Sequence, residues 1–118
     1  MKYLCLIYDA DSDMAAMSKG ESDAFMGEYF AFTTDLAKSG RMLAGEALEP
    51  AHTATTLRHR NGTLTTTDGP FAETKEQLGG FYLVEAADLN EALQIAAKIP
   101  SVRTGSIEVR PVTVFDGM

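Results

Sequence analysis

Asp68, Glu73 and Lys75 fall close together in the run DGPFAETK, and Glu46 follows Gly45 on a short apolar stretch. Carboxylates placed this way could act as general bases or anchor a ligand at the rim of a cavity, and Glu73 with Lys75 could orient a polar or anionic substrate. Each residue also has a plainer reading. Asp-Gly-Pro is a turn signal in which Asp68 accepts hydrogen bonds from following backbone N–H groups, leaving Phe71 to anchor the loop on the core. Exposed loop charges such as Glu73 and Lys75 stabilise little. Glu46 faces in or out by a single period-two choice, and burial would raise its pKa into a range useful for proton transfer.

Other reactive types lead less far. His52 and His59 lie seven apart with no H-x-x-x-H, H-E-x-x-H or cysteine companion, so no metal is expected. No cofactor motif is present either, because Gly79-Gly80 precedes a strand and lacks a phosphate-binding pattern. Arg58, His59 and Arg60 form a small basic cluster, but the 118-residue chain carries 10 Lys and Arg against 17 Asp and Glu. A net charge of −7 disfavours nucleic acid and anionic membrane surfaces. Residues 9–35 alone hold seven acids and one base, so six of those seven units are local. Cys5, the single cysteine, reads as a core thiol and fits a reducing, cytoplasmic setting. The opening apolar run, Tyr3 to Tyr8, is too short for a signal or membrane helix.

The elements that must position these residues follow from pattern, and the length suits one domain spanning 1–118. Residues 2–8 are apolar on both alternating faces, as in an interior strand. Ser18 and Glu21 have capping-box spacing, and large apolar residues at 25, 26, 29, 30, 32 and 36 share one arc of the helix that follows. Glu21, Glu28 and Asp35 edge that arc, and Gly40 ends the helix. Residues 42–48 predict a short strand. Residues 54–60 and 63–67 flank Asn61-Gly62, the pair best suited to a type I′ hairpin. Gly79-Gly80 opens a strand over 80–86, with the glycines permitting a bulge or close backbone approach. Asp88 and Glu91 suggest a second capping box before a helix over 89–99, with Leu89, Ala92, Leu93 and Ala96 on one face; residues 106–110 form the last strand.

Two strand–helix–strand halves around a hairpin predict an α+β, ferredoxin-like split βαβ sheet with an inserted hairpin and helices on one face. A first strand apolar on both sides then needs a cover for the second face, and a second copy, a homodimer, is the economical one.

The run DGPFAETKEQLGGFYLVEA at 68–86 resembles the DGPF-type proteins of the YCII-related family, as do MKYLCLIY at the start, Ala44-Gly45-Glu46, HTATTLR at 52–58 and EVRPV at 108–112. The resemblance implies a dimeric α+β barrel of unsettled activity, often encoded near extracytoplasmic-function sigma factors. It also implies a His/Asp pair for the wider family. Matching on Gly40 and Pro100 puts Tyr29 at the His position and Ile99 at the Asp position, so that pair is absent here. Tyr29 becomes a ligand-binding candidate instead. The expected function is small-molecule binding or a minor enzymatic reaction, with a regulatory role beside a sigma factor, docked on the acidic first helix, as the alternative.

Overall fold

The computed structural model describes residues 1–117. Strands β1 (Lys2–Asp9), β2 (Met42–Ala47), β5 (Gln77–Glu85) and β6 (Ser106–Pro111) form one antiparallel sheet in the order β2-β5-β1-β6. β3 (Thr55–Arg60) and β4 (Thr63–Asp68) form a separate two-stranded sheet. Three helices, α1 (Asp11–Ala15), α2 (Lys19–Lys38) and α3 (Leu89–Ala96), complete a mixed α+β fold. No helix among the described residues is long and apolar enough to cross a membrane.

Period-two alternation builds the core. Tyr3, Cys5 and Ile7 of β1 lie opposite Val84, Tyr82 and Gly80 of β5, so these residues share the sheet face that packs against Leu36, Ala92, Ala96 and Ile99. Burial pushes the Cys5 thiol up to about 11, which leaves it an inert core group. Gly80 is required here: a Cβ would lie 2.7 Å from the Glu46 carbonyl oxygen, while Gly79 sits in the register shift beside Ile7 and Tyr8. The strand begins at Gln77, earlier than the glycine pair suggests, because the ladder continues through that bulge.

The caps follow their sequence signals with one difference. Ser18 Oγ accepts from the Glu21 N–H and the Glu21 carboxylate accepts from the Ser18 N–H, each at 3.1 Å. Asp88 caps α3 by accepting from the Glu91 N–H at 2.9 Å, but Glu91 reaches back to the Ala87 N–H rather than to that of Asp88, and also pairs with Arg41. Gly40 ends α2 with φ 76°. α3 stops at Ala96, and Pro100 opens a 3-10 turn, Pro100–Val102. Its buried stripe runs through Ala92 and Ala96, whereas Leu89 and Leu93, expected on the same face, are about half exposed. α1 is a one-turn helix in a stretch whose sequence predicted none.

Asn61 and Gly62 both take positive φ, 52° and 76°, as a type I′ turn needs. The resulting arm packs little on the main sheet. Phe71 does not anchor it on the core, being 78% exposed. Instead the loop is held by polar bonds: Gly69 N–H donates to the Ala54 carbonyl, Arg58 to the Phe71 carbonyl, and Gln77 Nε2 to the carbonyls of Ala72 and Thr74.

Candidate functional site

Two hollows of about 540 Å3 flank α2. The one between α2 and α3 is walled by charged side chains of both signs, with Arg41 paired to Glu91, Glu28 paired to Arg103 from the adjoining turn at 2.6 Å, and Asp35 and Lys98 beside them. The other lies between α1, α2 and the β2 edge of the sheet, and its walls are mostly apolar, with Met14, Met17, Phe25, Met26, Phe30 and Leu48 among them. A mainly apolar hollow with a few convergent polar groups is the arrangement that suits a small molecule.

Four of those polar groups are hydroxyls paired with one another, and the carboxylates of Asp9, Asp11 and Glu49 line the hollow beside them. Tyr29 and Thr33 stand four residues apart on α2, which brings both to one face. Tyr29 Oη lies 2.5 Å from Ser101 Oγ, and Thr33 Oγ1 lies 2.7 Å from Tyr82 Oη. All four residues line the cleft. Ser101 is buried, set there by the 3-10 turn that Pro100 starts. Edge-on contacts of Phe25 with Tyr29 and of Phe32 with Tyr82, at 5.4 and 5.1 Å between centroids, fix the rings. Burial raises the Tyr29 phenol above its ordinary pKa; the Ser101 hydrogen bond opposes that rise and the nearby Asp9 charge adds to it. Near neutral pH Tyr29 is therefore a proton-bearing donor, not a base.

Of the sequence candidates, Tyr29 lines this cleft with its side chain, Glu46 borders it along the β2 edge, and the others do not reach it. Glu46 is exposed rather than a buried acid, and its pairing opposite Phe81 puts its side chain on the sheet face away from the helices. Asp68 ends β4 opposite Thr55, exposed, and its carboxylate accepts no hydrogen bond among the described residues. Glu73 and Lys75 are exposed on the loop beyond it. His52 and His59 are exposed as well, and no cluster of three or more metal-ligating side chains occurs among the described residues.

Ile99, matched to the family's Asp, is fully buried in the core; the side chain that hydrogen-bonds Tyr29 is Ser101, two residues on. The sequence signals for the missed members are slight. Thr33 is the i+4 neighbour of Tyr29, Tyr82 alternates with buried Val84, and Ser101 is a small polar residue just past a helix-stopping proline.

Comparison with known proteins agrees with this architecture. An uncharacterized protein of Rhizobium meliloti (strain 1021) is 41% identical over 117 residues, covering 98% of this chain and 94% of that one. Among solved structures, the fold is similar to that of the 5-chloro-2-hydroxyhydroquinone dehydrochlorinase TftG of Burkholderia phenoliruptrix, determined in complex with 2,5-dihydroxybenzoquinone. The TM-score is 0.55 at 15% identity, covering 96% of this chain and 94% of that one. Residues 1–116 match the YCII-related domain, and with the extent of the Rhizobium likeness this chain belongs to the YCII-related family.

Proposed function

We propose that the chain binds a neutral, oxygen-bearing small molecule in the cleft between α2 and the β2 edge, with Tyr29 as the group that meets it. The observation that carries this reading is the paired hydroxyls, Tyr29 with Ser101 and Thr33 with Tyr82, at the base of mostly apolar walls. Ser101 is 1% exposed and Tyr29 is its one side-chain partner among the described residues. Donation from Ser101 to Tyr29 satisfies the buried hydroxyl proton and leaves the Tyr29 O–H directed at the cleft. A phenol so placed donates to a carbonyl or hydroxyl oxygen of a ligand and polarises it, which is one half of many carbonyl and phenol reactions.

No Lys or Arg lines the cleft, while Asp9, Asp11 and Glu49 do, so a carboxylate or phosphate ligand meets only repulsion. The dehydrochlorinase neighbour holds a hydroxylated quinone, which lends this reading the flat, oxygen-bearing ring; that hydroxyquinone is itself an acid, so the neutral charge proposed here rests on the lining of this cleft alone. A thermal-shift panel of neutral phenols, quinones and ketones tests the reading. A hit whose affinity falls about tenfold in Tyr29→Phe supports it, since one hydrogen bond is worth about that much. Hits that ignore Tyr29→Phe, or no hits from the panel, count against it.

The same reading takes the four-stranded sheet as ferredoxin-like and the working form as a homodimer, a face-to-face α+β barrel. Leu4, Leu6, Phe81 and Leu83 line the sheet face opposite the helices and are only half-buried. A compact 12.7 kDa chain would expose about 6,200 Å2 by area scaling, against 8160 Å2 here. The radius of gyration of 16.4 Å likewise exceeds the roughly 13.5 Å of a compact chain this long. The surplus, about 1,900 Å2, is more than the ~800 Å2 that each partner buries in a standard interface. Sedimentation in solution tests this, with a monomer at micromolar concentration as the contrary result. A sigma factor on the acidic helix has less behind it, because Glu21 is engaged in its own cap and Glu28 with Arg103.

A further inference from the structure

The β3–β4 arm is the part of the chain with least reason to be ordered alone. A lone two-stranded hairpin is marginal in water, yet this one projects for six residues per strand, about 20 Å, with few contacts to the main sheet. One of its faces is occupied: Thr56 and Arg58 bond to the carbonyls of Gly69 and Phe71. The other is bare. His59 lies opposite Leu64 and Leu57 opposite Thr66, which makes Leu57 and Leu64 diagonal neighbours on that face, 63% and 64% exposed. The arm, residues 54–67, contains Arg58 and Arg60 and no acid, so its net charge is +2 and the rest of the chain is −9.

A surface of matching character exists on the same chain. Met26 and Phe30 stand at the mouth of the cleft, 52% and 68% exposed, within the segment 9–35 that holds seven acids and one base. We infer that in the dimer the arm of one copy clasps the other, laying Leu57 and Leu64 over Met26 and Phe30, while Arg58 and Arg60 on the arm's other face give it the positive charge that draws it toward the acidic segment at long range. The inference rests on the homodimer proposed above, and the occupant is a second copy because the surplus surface, the apolar stripe and the opposite charges all belong to one sequence. It completes the site, since the arm then roofs the cleft of its partner, and it gives the acidic helix a use without a foreign protein.

Two single-cysteine variants, Phe30→Cys and Leu64→Cys, carried on chains with different tags and mixed before mild oxidation, test the clasp. Both positions are exposed and buried Cys5 takes no part, so folding and background are controlled. The expected product is a disulfide-linked heterodimer in several-fold excess over the linked homodimers of either variant. In parallel, Arg60→Glu, which takes the net charge of the arm from +2 to zero, should weaken the dimer a few-fold at low salt and flatten its salt dependence. A wild-type dimer that yields no such excess, and whose dissociation constant ignores Arg60→Glu, overturns the clasp and leaves the dimer standing. A monomeric wild type overturns both.

Discussion

Leu83 and Val84 are neighbours in sequence on β5 and live in different surroundings. Val84 is fully buried under the helices with Tyr3, Cys5 and Ile99, whereas Leu83 sits half-buried on the opposite face beside Leu4. The side-chain chemistry of the two faces is nearly the same. Only one of them has a cover within the chain. A strand that is apolar on both sides encodes burial on both sides, and the chain by itself supplies half of it. The arm repeats the lesson, with Leu57 and Leu64 apolar on a face that nothing in the chain covers.

The largest expected effect separates the two faces directly. Val84→Asp places an unpaired charge in the helix-covered core, costs several kcal/mol and should prevent folding, seen as loss of the far-UV circular dichroism signal. Leu83→Asp should keep the secondary structure and, by sedimentation, lose the dimer proposed above. If both variants unfold, the open face is as structural as the covered one; if Leu83→Asp stays dimeric, that face is not the interface.

Ile99→Ala comes next and sharpens the covered side. Its site is closed on all sides, so truncation leaves a cavity and should cost about 2–5 kcal/mol in denaturant melts, with the oligomeric state unchanged. The same residue occupies the position that matches the family's Asp. Pro100 is legible as a stop, but the 3-10 turn it opens, which sets Ser101 against Tyr29 while Ile99 just before it stays in the core, is not.

Local rules therefore carried the strands, the Asn61-Gly62 turn, the Ser18–Glu21 box and the close approach at Gly80, because each depends on residues within a few positions or on strand alternation. The hydroxyl cluster depends on partners 72 and 49 residues apart, and no local pattern encodes such a meeting. Phe71 and the Leu89 and Leu93 pair show the converse failure: an apolar residue predicts burial, but about half or more of each of these stays exposed in the chain.

The smallest effect lies outside both faces and serves as their control. The fully exposed Glu21 carboxyl is held below the usual carboxylate range, first by the Ser18 backbone N–H and then by the Ser18 side chain. A group whose folded pKa is depressed stabilises the fold above its unfolded value and loses that contribution as pH falls through the folded one. Glu21→Gln should therefore melt below wild type at neutral pH, and the gap should close on acidification through the carboxylate range. Ser18→Ala, which removes the cap itself, should cost about 1 kcal/mol at neutral pH. Both effects are confined to one helix end, so they should be the same size in the Leu83→Asp background as in wild type. A cap effect that changes when the dimer is broken would mean that the segment 9–35 feels the second copy, as the clasp requires of Met26 and Phe30 but not of Ser18.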